Sequence, residues 1–250
     1  MVAVFPLIFI CLSGGIDVDS LTAALHVETG MAYLSQGLSE KALTEFNTAL
    51  ELSDTAYEAY LGIGRASAIH GSWDMAEASF LEFLACKPFD HRPARELAEM
   101  LLGFPGRFQD ALMYADMALA LAPLDGQCRL TAADARAALG RTEEALSAYT
   151  LIINENPEFA SAARLRLGGY LFEYGRLADA REVLLPAALS GEAEAHRLLC
   201  LVYLDQHDHL RARDSAGRYI FLEPNGVWAD SARTILEELS FESAPGNPGD

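Results

Sequence analysis

The strongest constraint on the fold of this chain is a small residue that returns about every 34 residues. Six alanines stand at equivalent places and are separated by 32 to 35 residues: Ala42, Ala76, Ala111, Ala145, Ala180 and Ala212. Periods of about 20 to 50 residues are typical of chains built from stacked units, because one short unit cannot bury its own apolar face. The sequence therefore predicts a linear array of similar units.

Other residues keep the same register. A small residue precedes each alanine by twelve positions, or by thirteen in the third unit, whose turn GFPGRF has one extra residue: Gly30, Gly64, Ala98, Ala133, Gly168 and Cys200. A turn residue lies between the two: Gly37, Gly71, Gly106, Gly140, Gly175 and His207. A proline follows four of the alanines: Pro88, Pro123, Pro157 and Pro224. We interpret each unit as a helical hairpin in which the small residue of helix A lets the alanine of helix B approach closely.

The stretch from Gly140 to Pro157 shows the second helix most clearly. Ala145, Tyr149 and Ile152 recur at three- and four-residue spacing, which indicates one buried helix face. Pro157 cannot continue the helix beyond it. Larger residues at the place of Tyr149 are expected to fill the space toward the next hairpin: Phe46, Phe80 and Leu184.

This period and this order of residues resemble the tetratricopeptide repeat family. The resemblance implies an all-α fold, a right-handed superhelical solenoid of antiparallel helix pairs. It covers six repeats, 23–56, 57–90, 91–125, 126–159, 161–192 and 193–226. Residues 1–22 are an apolar N-terminal segment and lead-in, in which Asp19 or Ser20 is expected to cap the first helix. We expect 227–241 to form a capping helix and 242–250 to be a disordered tail.

Charge and cysteine usage exclude several classes of function. Asp and Glu outnumber Lys and Arg by 36 to 18, so the formal net charge is −18. Such a chain repels phosphate backbones, which argues against nucleic-acid binding and favours basic or apolar partners. The four cysteines show no metal-ligand or redox spacing, and we predict free thiols and no cofactor.

The N-terminal run MVAVFPLIFICL is apolar throughout but too short to span a bilayer as a helix. Its length suits an export signal, and the small residues Ser13 and Gly15 suit a cleavage site, but the run contains no Lys or Arg. An export signal in residues 1–15 implies an exported or periplasmic protein. A packed N-terminal segment or a mis-assigned start implies a cytoplasmic one.

No motif for catalysis is present. The chain has no phosphate-binding glycine loop, no GxSxG and no HExxH, so we do not expect an enzyme. The one sequence cluster that could hold a metal is His207 and His209 with Asp205, which we interpret as a solvated turn. A repeat protein modified to bind a metal or a small molecule in a regulatory role is the alternative that this cluster keeps open.

In the family, side chains of the first helix of each repeat line a concave groove. Carried onto this sequence, the resemblance implies these groove residues: Val27, Met31, Leu34, Leu61, Arg65, Ile69, Arg92, Arg95, Leu102, Leu130, Leu165, Phe172, Leu201 and Leu204. The subset that grips chaperone C-terminal carboxylates has Lys and Asn where this chain has Val27 and Met31, so that activity is not implied. The three arginines suggest an apolar partner segment that carries an acidic residue.

The expected function is therefore a non-catalytic scaffold that binds a peptide or a helix of a partner protein in this groove. Assembly of a larger complex, such as a secretion or pilus-like apparatus, is the role that exported members of the family suggest. Self-association is a further alternative, and residues 1–12 could also occupy the groove in cis.

Overall fold

A computed structural model describes residues 17–242 of the chain. These residues form thirteen α-helices and no strand, as the predicted fold class requires. Within them, no helix combines the length and the apolar character needed to cross a membrane. The predicted signal in 1–15 and the tail at 243–250 lie outside the described residues.

The chain divides into two compact units at Ala135 and Arg136. In unit 1, the first six helices each pack against the next along the chain, and the first and third helices also touch. The helices of unit 1 are α1 (Val18–Ser35), α2 (Ser39–Leu52), α3 (Glu58–Ile69), α4 (Trp73–Cys86), α5 (His91–Leu101), α6 (Phe108–Leu121) and the start of α7 (Gly126–Ala138).

Unit 2 repeats this arrangement and ends in a single helix. Its helices are α8 (Thr142–Glu155), α9 (Ala160–Glu173), α10 (Leu177–Leu189), α11 (Ala193–Asp205), α12 (His209–Leu222) and α13 (Ala229–Glu242), with a short 3-10 turn at Pro157–Phe159. Helix α13 packs on α12, buries Ala229 and Ala232, and exposes Asp230 and Glu237. The last residue of α13 is Glu242, one residue beyond the predicted end of the capping helix at 241.

The turn glycines have a conformational reason. The five turns with glycine have φ between 68° and 97° at Gly37, Gly71, Gly106, Gly140 and Gly175. This left-handed region is unfavourable for residues with a Cβ. His207 occupies the sixth equivalent place and adopts the same conformation, with φ at 56°. The backbone conformation of the turn is therefore the same whether glycine or histidine occupies this place.

The first helix begins earlier than expected. Asp17 is its N-cap and accepts a hydrogen bond from the Asp19 amide at 3.2 Å, so the predicted caps Asp19 and Ser20 lie inside the helix. Helix α5 has the same device, since Asp90 accepts from the Arg92 amide at 3.0 Å. Carboxylates at these places satisfy amides that have no partner within the helix.

The close approach of the paired helices depends on glycine facing a large side chain. A Cβ added to Gly30 would lie 2.6 Å from the ring of Phe46, and one added to Gly62 would lie 2.3 Å from the same ring. Phe46 therefore fills space toward its own hairpin as well as toward the next one. The alanine four residues before it, Ala42, is fully buried but is not the residue that meets the glycine.

Unit 2 uses the same packing with an aliphatic side chain. A Cβ on Gly168 would lie 2.4 Å from Leu184, which is fully buried. Because a methyl group would overlap these side chains, the small residue of helix A sets the distance to helix B.

Candidate functional site

Several predicted groove residues of unit 1 line an open cleft between α1, α3, α4 and α5, with a volume of about 570 Å³. Its apolar wall is formed by Met31, Leu34, Ile69, Trp73 and Met100. Ile69 is 62% exposed and Trp73 is 44% exposed. Apolar side chains of this size are usually buried, so their exposure together marks a surface on which another apolar group can bind.

The extra residue in the third turn contributes to this cleft. The connection between α5 and α6 spans residues 102–107, whereas the first two hairpins turn in three residues. Phe104 in this longer turn meets the ring of Trp73 edge to face, with the ring centroids 5.3 Å apart. Edge-to-face contact between aromatic rings is favourable. The longer turn therefore orients the tryptophan of the cleft.

The three predicted arginines do not present free positive charge. Arg65 Nε donates to both carboxylate oxygens of Glu96 at 2.9 Å, and its Nη2 makes a further contact with the same group. Arg92 donates to Glu58 at 2.7 and 3.0 Å and also to Asp90. These pairs join residues of successive repeats, 31 and 34 positions apart.

Arg95 completes the network, in which the side chain of Glu99 accepts three hydrogen bonds. Arg95 Nη1, Gln127 Nε2 and Thr131 Oγ1 each donate to Glu99 Oε1, at 2.9, 2.9 and 3.0 Å. We call the set of Glu58, Arg65, Asp90, Arg92, Arg95, Glu96 and Glu99 the charge ladder. It holds more carboxylates than guanidinium groups, so the expected attraction for an acidic partner residue is not available.

The ionisation of the ladder follows from its hydrogen bonds. The bond to Glu96 raises the pKa of Arg65, and the bonds to Asp90 and then to Glu58 raise the pKa of Arg92. The same contact with Arg92 lowers the pKa of the Asp90 carboxyl. Charge-assisted and bidentate pairs of this kind are the stronger class of hydrogen bond. Arg65, Asp90 and Arg92 therefore stay ionised and paired around neutral pH.

The predicted groove residues of unit 1 do not all line one surface. Met31, Leu34, Arg65, Ile69 and Arg95 line the cleft. Val27 lines a separate opening of about 400 Å³ near the start of α1, beside Tyr57 and Lys87. Arg92 is half-buried in the charge ladder, and Leu102 is half-buried at the end of α5.

Two of the predictions are wrong. Leu61 is fully buried in the core with Phe80 and Leu97, and Leu130 is 2% exposed. Both side chains belong to the packed interior of unit 1. The buried leucines stabilise unit 1 but cannot contact a partner.

In unit 2, the predicted residues Leu165, Phe172, Leu201 and Leu204 are half-buried on α9 and α11. A smaller opening of this unit, about 200 Å³, has other side chains around it: Leu185, Ala188, Leu189, His196, Leu199, Tyr203, Arg211, Asp214, Ser215 and Arg218. Within the described residues, the cleft of unit 1 is the opening that gathers several of the predicted groove residues.

Sequence reasoning missed Trp73, Glu96 and Met100 as cleft residues. A signal for Glu96 was present, because Arg65 and Glu96 are almost one repeat apart and lie on first helices of neighbouring repeats. In a repeat protein, opposite charges at such separations are candidates for pairing between repeats. Trp73 is the first residue of its helix, which the groove positions of the family do not include.

The sequence candidate for a metal site does not assemble. Within residues 17–242, the potential ligands that converge are His91, Asp125 and Cys128, whose ligand atoms lie within 4.8 Å of one another. Asp205, His207 and His209 form no such group there. The intervening Asp208 caps α12 by accepting from the Arg211 amide at 3.1 Å.

The surroundings of His91, Asp125 and Cys128 favour a helix cap over a cation. Asp125 accepts the Cys128 amide at 2.8 Å. The N-termini of α5 and α7 both open here and carry partial positive charge. Burial, followed by the charge of Asp125, raises the pKa of Cys128 to about 12, whereas metal ions bind the thiolate. We therefore assign this group to capping.

A family model described as tetratricopeptide repeat matches residues 27–91 and 130–190. No curated protein sequence matches the chain. The solved structures that match include a tetratricopeptide repeat protein from Parabacteroides merdae, with a TM-score of 0.69 and 16% identity over 92% of this chain and 88% of that one. The predicted fold class is confirmed.

Two further structures have comparable similarity. PilW, a widely conserved type IV pilus biogenesis factor, has a TM-score of 0.73 and 18% identity, and the match covers 84% of this chain and 98% of PilW. A chain of the APC/C hetero-tetramer Cut9–Hcn1 has a TM-score of 0.69 and 18% identity over 87% of this chain. This chain spans only 43% of that protein's length.

Proposed function

We propose that this chain, which belongs to the tetratricopeptide repeat family, is a non-catalytic scaffold that binds an apolar segment of a partner protein in the cleft of unit 1. The observation that carries the proposal is the joint exposure of Ile69 and Trp73 in one cleft. At about 570 Å³, the cleft lies within the range of about 300 to 1,000 Å³ that is typical of binding sites. An amphipathic helix that inserts two or three apolar side chains suits such a surface.

The charge ladder decides the polar chemistry of the partner. Its arginines already donate to carboxylates, and the side chain of Glu99, which lines the cleft, is 36% exposed. The chain as a whole carries a formal net charge of −18. A partner segment with acidic residues beside its apolar face would be repelled, and one with lysine or uncharged polar residues would not. We therefore propose a neutral or basic amphipathic segment.

The wider role that we propose is the assembly of a larger complex, such as a secretion or pilus-like apparatus. Similarity to PilW, a type IV pilus biogenesis factor, supports that choice, because the match covers nearly the whole length of PilW. Loss of surface pili or of secretion after deletion of the gene, restored by the intact chain but not by an Ile69→Glu chain, is the expected result. Normal assembly in the deletion strain would refute this role.

Three synthetic peptides test the chemistry of the cleft. They share one apolar helix face of Leu, Met and Phe and carry Lys, Gln or Glu on the opposite face, and binding is measured by fluorescence anisotropy. We expect the Lys and Gln peptides to bind, and the Glu peptide to bind more weakly. Ile69→Glu should reduce the affinity by about tenfold or more, because it places a charge at the centre of the contact.

Leu124→Glu is the matched control, because Leu124 is also a strongly exposed apolar residue of unit 1 but lies outside the cleft. Equal affinities of the two variants would refute the location of the site. Tightest binding by the Glu peptide would refute the proposed partner chemistry. Changing Arg65 to Glu is not a clean test, since it also breaks the contact with Glu96.

A further inference from the structure

Helix α1 carries an apolar stripe that faces solvent. Val18, Leu21 and Leu25 are 63%, 39% and 62% exposed, and their three- and four-residue spacing places them on one face. Thr22 and Thr29 flank this stripe, and their hydroxyls donate to the carbonyls of Val18 and Leu25, each at 2.8 Å. Both threonines satisfy their hydroxyls within the helix, so the face as a whole is apolar.

The later repeats show what this face normally contacts. The place of Leu25 is taken by a small or compact residue that is buried in every one of them: Ala59, Pro93, Cys128, Ala163 and Ala195. These residues are buried because a second helix of the preceding repeat packs on the first helix of the next, as α2 packs on α3 and α10 packs on α11. Within the described residues, nothing precedes α1, and its apolar face is left without a partner.

We propose that residues 1–12 of the same chain cover this face of α1. The stripe from Val18 to Leu25 is about 10 Å long at 1.5 Å per residue. Twelve residues reach about 18 Å as a helix and more in an extended form, so either conformation is long enough. The four residues Ser13–Ile16 include two glycines and match the connections of about two to eight residues that join packed helices.

Charge selects this occupant over a second copy of the chain. Asp17, Asp19 and Glu28 lie on α1 or at its start, next to the stripe, and are exposed. A second copy would bring the same carboxylates against them, whereas residues 1–16 contain no charged side chain.

The covered face and the cleft are at opposite ends of α1. The stripe occupies the first half of the helix, whereas Met31 and Leu34 of the cleft lie in its last turns. The N-terminal segment therefore completes the end of the repeat array and leaves the cleft open for a partner. It is independent of the function proposed for the cleft.

Cys11 lies within the proposed segment and serves as a natural probe. Cys86 is exposed, but Cys128 and Cys200 are buried, with their pKa values raised to about 12 and about 11 by burial. In a full-length Cys86→Ser chain, maleimide labelling near neutral pH therefore reports mainly on Cys11. We expect slow labelling, and an increase of about tenfold or more when Leu21 and Leu25 are both changed to Asp, which should release the segment.

Controls separate release of the segment from general loosening. Leu124→Asp and Leu210→Asp change leucines elsewhere that are more exposed than Leu21 and Leu25, and they should leave the labelling rate unchanged. A chain without residues 2–12 should bind the dye 1-anilinonaphthalene-8-sulfonate more strongly, and changing Leu21 and Leu25 to Asp in that chain should remove the gain.

Three results would overturn the proposal. The first is a rate of Cys11 labelling that is the same in all the full-length variants. The second is a light-scattering mass of two chains that falls to one when Leu21 and Leu25 are changed, because a second copy would then cover the face. The third is a mature chain, recovered from its native cell, whose intact mass shows that it begins after Gly15.

Discussion

Replacing Gly64 with alanine tests the packing rule of the repeats directly. Gly64 lies in helix α3, where alanine is ordinarily favoured over glycine by about 1 kcal/mol. The added Cβ would lie 2.4 to 2.8 Å from three atoms of the Phe80 ring, and Phe80 is 1% exposed. The ring must move by about 1 Å to reach an ordinary carbon–carbon separation of about 3.5 Å.

The magnitude follows from these opposing effects. Overpacking a core in this way costs about 1 to 3 kcal/mol, and an overlap as severe as this belongs at the upper end. Subtracting about 1 kcal/mol of helix propensity leaves a net loss of about 2 kcal/mol from the free energy of unfolding of unit 1. Gly169→Ala is the matched change, because Gly169 is also helical and a Cβ there would have no atom within 4 Å. It should stabilise unit 2 by up to about 1 kcal/mol.

The two tryptophans allow each unit to be followed separately. Trp73 lies in unit 1 and Trp228 in unit 2, and the chain has no other tryptophan. Urea unfolding is therefore measured by fluorescence in a Trp228→Phe background for Gly64→Ala and in a Trp73→Phe background for Gly169→Ala. Separate signals are needed because repeat arrays need not unfold in one step.

We expect Gly64→Ala to destabilise unit 1 and Gly169→Ala to stabilise unit 2. A Gly64→Ala chain that is stabilised like Gly169→Ala would show that helix B does not approach helix A as closely as the structure has it. Adding Phe80→Leu to Gly64→Ala provides a second check, because the smaller side chain should remove most of the overlap. The combined change should then cost less than the sum of the two single changes.

Three further predictions concern the turns and the charge ladder. His207→Gly should stabilise unit 2 by about 1 kcal/mol in urea unfolding followed by Trp228, because it relieves a left-handed conformation in a residue with a Cβ; no gain would show that this turn is unstrained. A double-mutant cycle of Arg65→Ala and Glu96→Ala, followed by Trp73, should give a coupling energy of about 1 to 3 kcal/mol, and additive losses would contradict the pairing. The contact with Arg92 lowers the pKa of Asp90, so it stabilises unit 1 at pH values above the ordinary Asp pKa of about 3.9. This stabilisation is lost as the pH falls through the lower pKa of the folded state. Asp90→Asn should therefore be less stable than the wild type at neutral pH but not in acid, whereas a constant difference would assign the effect to something other than charge.

The repeated parts of this fold could be predicted from the sequence because each depends on local geometry. A left-handed turn selects glycine, and five of the six turns show it. A close helix crossing selects small residues such as Gly30 and Gly168, and both lie against large side chains. These requirements return from repeat to repeat, so they can be recognised from the period of the sequence.

The residues of the cleft were harder to predict because they depend on how one repeat meets the next. The spacing that placed Met31 and Ile69, which line the cleft, in the groove also placed Leu61 there, although the structure buries it. Leu61 and Arg95 stand at the same place in successive repeats, yet Leu61 is buried and Arg95 lines the cleft, so the period alone does not decide which side chain turns outward. The same limit applies to Arg65, because the separation of almost one repeat makes Glu96 a candidate partner and the structure shows that the two side chains touch.

The departures from the repeat are also where the proposed functions lie. Arg65 has Met31 and Glu99 at its place in the neighbouring repeats, so the charge ladder is specific to this part of unit 1. The extra residue of the third turn brings Phe104 to Trp73, and no other hairpin has such a turn. Leu25 stands where the later repeats have a small or compact residue, and it lies on α1, which no other helix precedes in the described residues. Residues that recur must satisfy the packing of every unit, and only those that do not recur are free to distinguish one surface of the array from another. A search for the partner should therefore begin with the non-recurring residues of the cleft, Ile69 and Trp73.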